Sequence, residues 1–131
     1  MKKQGIINSE IAALVAQLGH KDMIVIGDSG LPVPAGVPKI DVAIRWGLPS
    51  FQDVLDSVLT EMEVEKIVLA NEIMEKNHDQ WQETIAKFTL TEIDYCSHED
   101  FKELTKAAKA VIRTGEATPY SNIILVSGVC F

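Results

Sequence analysis

Two short apolar runs, "MIVIG" (23–27) and "NIILVSGV" (122–129), constrain the fold of this chain more than anything else in it. Both have the length of strands, and neither shows a solvent-facing polar alternation. A strand apolar on both sides has to be covered on both faces, which calls for helices above and below a sheet. The intervening segments supply those helices. Ile11, Leu14, Val15 and Leu18 make one helical stripe, predicted to run from a cap at Ser9 to Leu18. Phe51, Val54, Leu55, Val58 and Leu59 make a second, opened by the Ser-x-x-acid start signal of Ser50 and Asp53.

Further strands are expected at "KIDVAIR" (39–45), "VEKIVLAN" (64–71) and "TEIDYC" (91–96). A more polar helix is expected at "MEKNHDQWQETIAKF" (74–88), with Ile85 and Phe88 inward. Ser97 and Asp100 repeat the capping signal ahead of a helix carrying Phe101, Leu104, Ala108, Val111 and Ile112, which Gly115 ends. Helices alternating with apolar strands predict an α/β fold, a three-layer sandwich with a mainly parallel central sheet flanked by helices. No repeat, low-complexity tract or polar linker divides the chain, so residues 1–131 are expected to form a single domain. The loop "DSGLPVPAGVP" departs from the simplest doubly wound connection and leaves strand order open.

With 19 acidic against 12 basic residues and a formal charge of -7, the chain lacks the basic footprint that nucleic acid or an anionic membrane surface requires. The amino end imitates a signal peptide for six residues, until Asn8, Ser9 and Glu10 interrupt it. No run approaches the ~18 apolar residues of a membrane span. The two cysteines, Cys96 and Cys130, have no metal-type spacing and are expected to be reduced thiols in cytosol.

The first strand ends in Gly-Asp-Ser-Gly, a tetrapeptide that surrounds nucleophilic serines elsewhere. A nucleophile needs a histidine base and an orienting acid beside it. Only His20, His78 and His98 are available, and none follows position 98, where an esterase-type base would sit. The protease version belongs to an all-β double barrel, which the alternation contradicts. Ser29 is therefore read as fixing a turn that Gly27 and Gly30 permit. No phosphate-cradling glycine pattern is present.

Ligands of open parallel sheets gather beyond the carboxyl ends of strands. Those ends offer Asp28, Arg45 with Trp46, Asn71 with Glu72, and His98. Asp28 is either a turn former or a ligand contact aimed by the stiff prolyl loop. Arg45 and Trp46 close a core edge or pair between subunits; Glu72 is a base or a helix-start residue. His98, in the first turn of a helix, sits where the helix dipole favours the neutral ring; His20, after a helix carboxyl end, sits where it favours the protonated one. His78 reads as a solvated side chain. No histidine pair has ligand spacing with a third donor, so no metal site is expected.

"LGHKDMIVIGDSGLPVP", "SFQDVL", "SHEDFK" and "TGEATPYSNIILVSGV" closely resemble the D-ribose pyranase family, in the superfamily that also holds L-fucose mutarotase. The likeness runs from Ile7 to Val129 without large gaps. It implies a cytoplasmic isomerase that exchanges the β-pyranose and β-furanose forms of D-ribose, supplying furanose for phosphorylation, with no cofactor. Carried over by position, His20 matches the proton donor, and Asp28, His98, Tyr120, Ser121 and Asn122 match the sugar contacts. Gly30, where the fucose branch has a bulkier residue, tilts the expectation toward ribose. The resemblance also implies a homo-oligomer, a ring-based decamer. One geometric difficulty is visible already: β-strand 23–27 separates His20 from Asp28 by about 17 Å, since five extended residues rise ~3.3 Å each. Either the loop folds Asp28 back, or His20 of one subunit meets Asp28 of another.

Overall fold

The computed structural model describes residues 1–131. Six strands, β1 (Met23–Gly27), β2 (Lys39–Asp41), β3 (Val64–Ala70), β4 (Glu92–Cys96), β5 (Val111–Arg113) and β6 (Ile123–Ser127), form one sheet in the order β2-β5-β1-β6-β3-β4. β1 is parallel to β5 and β5 to β2, while β3 is parallel to β4. β6 lies between β1 and β3, antiparallel to both. Five strands therefore point one way, and the sandwich is mainly parallel as its apolar strands demanded.

The two-sided burial of those strands divides the core in two. Ile24, Ile26, Ile67, Leu69, Ile112, Ile123 and Leu125 project to one face. There they meet α1 (Ser9–Gln17), α2 (Phe51–Leu59), α3 (Ile73–Lys76) and α4 (His78–Ile85). Val25, Val68, Val111 and Ile124 project to the other, under α5 (His98–Leu104) and the prolyl loop residue Leu31. Each fully buried aliphatic or phenyl side chain contributes roughly 1.5–3 kcal/mol of transfer free energy. No helix is long and apolar enough to cross a membrane.

Local signals act as expected at α2, where Ser50 accepts from the Asp53 N–H and Asp53 accepts from the Ser50 N–H. Ser97 likewise accepts from the Asp100 N–H at the start of α5. Four expectations need correction. The cap of α1 is Asn8, whose side chain accepts from the Ile11 N–H, and Ser9 is the first helical residue. The segment 39–45 is a strand only to Asp41, because Asp41 turns back to accept from the Ala43 N–H and the chain then enters a hairpin at Arg45–Leu48.

The helix expected over 74–88 is two helices broken at Asn77, which takes φ -151°, ψ 62°. The helix from Ser97 does not reach Gly115. It ends at Leu104, passes through a 3-10 turn at Thr105–Ala107, and becomes β5. Val111 and Ile112, which also fit a helical stripe, are drawn between β1 and β2 because two flanking strands offer hydrogen bonds that a helix end cannot match.

Candidate active site

Beyond the carboxyl ends of β1, β3 and β4, and at the amino end of the reversed β6, four predicted residues come together. Asp28 follows β1 directly. Its side chain accepts from the Gly30 N–H at 2.9 Å, and its own N–H donates to the Asn122 amide oxygen at 2.8 Å. The glycine of "GDSG" thus serves the aspartate. Ser29 is a turn residue, its N–H on the Glu116 carbonyl and its carbonyl receiving Arg113 Nε.

His98 opens α5, and its N–H donates to both carboxylate oxygens of Glu72, at 3.1 and 3.0 Å. Glu72 is accordingly a helix-start residue. The His98 ring meets the Tyr120 ring edge-on, with centroids 5.1 Å apart and planes at 83°. Phe101, one turn later, lies nearly parallel to the His98 ring, with centroids 6.4 Å apart.

Tyr120 takes φ +57°, the left-handed region that a side chain with a Cβ enters only when its surroundings impose it. Asn122 is buried, held by Asp28. Between them Ser121 is fully buried, and its hydroxyl is engaged by Asn77, Gln80 and Thr118.

Burial pushes the Asp28 carboxyl above the usual carboxylate range, against the opposing pull of the Gly30 N–H. His98 also lies close enough to act on it electrostatically. Two polar atoms at this spot are closed to solvent and have no partner in the chain: His98 Nδ1 and the Asn122 amide nitrogen. Buried donors and acceptors are normally satisfied. A carboxylate, an amide, an imidazole and a phenol around two unsatisfied nitrogens form a site suited to the hydroxyls of a small polyol.

His20 is not among them. It sits before β1, at the opposite end of the strands, where Lys21 pairs with the carbonyl of Ser127 at the end of β6. Its Nε2 is 2.8 Å from Glu65 Oε2. Glu65 is the extra residue of a bulge in β3, between the pairs Val64–Ser127 and Lys66–Val126, and a bulge re-aims the side chain it carries. The Lys21 ammonium first, and His20 next, hold the Glu65 carboxyl below its ordinary range. The prolyl loop stays at the far end of β1, its Leu31 buried there, so it does not return Asp28 to His20 within one chain.

Other candidates are placed elsewhere. Arg45 and Trp46 are exposed in the hairpin, Trp46 by 74%, and so do not close a core edge. His78 is exposed beside Trp81. Glu65, Asn77 and Gln80 escaped the reading of the sequence. The signal for the last two was present, since Ile73, Asn77, Gln80, Thr84 and Phe88 share one helical spacing and polar side chains therefore occupy core-facing positions.

Residues 1–130 match the RbsD / FucU transport protein family. The chain is 55% identical to a D-ribose pyranase of Bacillus cereus (strain AH187) and 54% to one of Bacillus anthracis, over the whole of both chains in each case. Among solved structures it is similar to Bacillus subtilis RbsD complexed with D-ribose, at TM-score 0.98 and 55% identity over the full length of each. It is also similar to the fucose mutarotase of Streptococcus pneumoniae in complex with L-fucose, at TM-score 0.78 and 28% identity over 95% of each chain. The chain belongs to the RbsD / FucU family.

Proposed function

We propose that the protein is a D-ribose pyranase, an intramolecular isomerase that interconverts the β-pyranose and β-furanose forms of D-ribose. The observation that carries this is the full-length match, at TM-score 0.98, to a relative complexed with D-ribose. The site geometry agrees with it. Asp28, His98, Tyr120 and Asn122 bind the sugar hydroxyls, whereas Ser121, expected as a sugar contact, is fully buried with its hydroxyl engaged within the chain and sets the turn between the last two.

Opening a cyclic hemiacetal requires a proton delivered to the ring oxygen and one taken from the anomeric hydroxyl. Closure through a different hydroxyl reverses both transfers. Only O–H and C–O bonds change, so the reaction asks for positioned acid-base groups and no hydride carrier. His20 gives the proton to the ring oxygen, and Glu65 orients its ring through Nε2. Because His20 and Asp28 lie at opposite ends of β1, His20 reaches the sugar from a neighbouring subunit. The protein is then a homo-oligomer, built as a ring-based decamer, working in the cytoplasm where furanose is drawn off by phosphorylation.

Magnetisation-transfer NMR between the ring forms of ribose tests this directly. Wild type accelerates the exchange, and His20→Ala loses about 10²- to 10⁴-fold of that acceleration, the usual worth of one positioned proton donor. Ribose binding without accelerated exchange in either sample would mark a non-catalytic sugar-binding accessory. Faster exchange with fucose than with ribose would mark a mutarotase of the other branch. In D2O every carbon-bound hydrogen stays in place; deuterium on carbon would mean an aldose–ketose isomerase.

A further inference from the structure

A chain of buried amides runs from the helical layer to the candidate site. Gln52 on α2 donates to Gln80 Oε1 at 2.8 Å and to the Thr84 hydroxyl at 2.9 Å. Gln80 on α4 donates to the Ser121 hydroxyl at 3.0 Å. Gln52, Gln80, Thr84 and Ser121 are all buried. Asn77, at the break between α3 and α4, sends its amide to Thr118 Oγ1, the Pro119 carbonyl and Ser121 Oγ, at 3.0, 2.8 and 3.2 Å.

Such groups are costly to bury, and apolar side chains would fill the same core positions with no partners to satisfy. Their bonds converge on the turn at Tyr120, a non-glycine residue with a positive φ. The other half of that loop has further anchors of its own and is tied to the turn by Thr118, whose hydroxyl donates to Glu116 at 2.9 Å. There the Thr114 hydroxyl donates to the Gly27 carbonyl, and Glu116 accepts from the Phe51 N–H. The segment next to Tyr120 is gripped from the helix side.

We infer that Gln80, supported by Gln52 and Asn77, is a positioning residue for the site: through the Ser121 hydroxyl it holds the 118–122 turn so that the Tyr120 ring faces His98 and the Asn122 amide faces Asp28. The broken helix follows from the same device, because Asn77 leaves helical geometry at the residue whose side chain binds the turn. Tyr120 and Asn122 hold the sugar in every state along the reaction, whereas the proton donor His20 lies at the other end of the strands. Loosening the turn therefore weakens substrate binding and leaves the chemical step largely intact.

The kinetic test, which rests on ribose as the substrate proposed above, uses the full-length assembly with Gln80→Leu and Asn77→Ala. Val58→Ala, a buried change in α2 away from the amide chain, is the control. All are compared at a temperature where circular dichroism shows each folded. Gln80→Leu raises KM for D-ribose on the order of tenfold, the scale of one buried hydrogen bond, with kcat within about threefold. Val58→Ala lowers the melting temperature and leaves KM alone.

A second readout needs no activity: cross-peaks between the Tyr120 and His98 rings, 5.1 Å apart, weaken in Gln80→Leu and persist in Val58→Ala. Should Gln80→Leu not fold, Asn77→Ala at the half-buried helix break is judged by the same two measurements. A folded variant with wild-type KM and an intact ring contact overturns the inference. A wild type that fails to exchange ribose ring forms overturns the substrate assignment instead, and the ring contact then decides the role of Gln80.

Discussion

Mixing subunits that carry His20→Ala with subunits that carry Asp28→Ala asks whether a working site draws on two chains. Within one chain the five residues of β1 separate these side chains, an extended rise of about 17 Å, more than a pentose with a hydrogen bond at either end can span. The loop after Asp28 does not shorten that span, because Leu31 is buried at the same end of the strands as Asp28. If every site takes its imidazole from one subunit and its carboxylate from another, each homogeneous variant has no intact site. In a randomly assembled 1:1 mixture half of the imidazole donors are intact and half of the carboxylate donors are intact, so about one quarter of sites regain both groups, whatever the ring size. The assay unfolds the two variants together, refolds them, verifies mixed oligomers by native mass spectrometry, and measures ribose ring exchange against refolded wild type. Recovery near one quarter supports a shared site. Verified mixed oligomers with no more activity than either variant alone would refute the reasoning, since both groups would then have to come from a single chain.

A Cβ at Gly27 would lie 2.7 Å from Leu31 Cδ2 and 3.3 Å from the Asn122 amide oxygen, so Gly27→Ala should destabilise by about 1–3 kcal/mol and weaken ribose binding together. Thermal melts and a ribose titration check both; unchanged affinity in a destabilised variant would show that Asn122 is not displaced. Burial raises the Asp28 carboxyl, so the folded state holds its proton more tightly than the unfolded chain does. By linkage, stability falls as pH rises from the unfolded-state value through the folded-state value, and the penalty is complete above the latter. Asp28→Asn should therefore be more stable than wild type at neutral pH, with the gain shrinking toward pH 3, while ribose binding is lost. Melting curves across that range decide it, and a gain that grows toward low pH would contradict the assignment.

Much of the architecture was legible because burial imposes periodicity. β1 and β6 had to be central strands, since "MIVIG" and "IILVS" leave no polar face to turn outward, and both are inner strands of the sheet. The caps of α2 and α5 were legible because Ser-x-x-acid is a local hydrogen-bond pattern. The segment after Leu104 was misjudged, since Ala108, Val111 and Ile112 satisfy helix spacing equally well and a three-residue strand is too short to display alternation. The break at Asn77 was hidden for a different reason: the partners of its side chain lie in the loop at Thr118–Ser121, more than forty residues away.

The resemblance to the D-ribose pyranase family named Tyr120, Ser121 and Asn122; residue chemistry along the chain was enough to dictate helices over a sheet apolar on both faces, the stiff turn at Gly27–Gly30, and the candidates His20, Asp28 and His98. Those are consequences of local hydrogen bonding and of side-chain period, and both are written in neighbouring letters. Folding alone settled that β6 runs backwards, that Asn122 and Tyr120 therefore arrive at the strand ends where Asp28 and His98 wait, and that His20 stays at the opposite ends beside Glu65. Strand direction and long-range pairing depend on which surfaces meet once the chain has collapsed, and no short-range pattern records that.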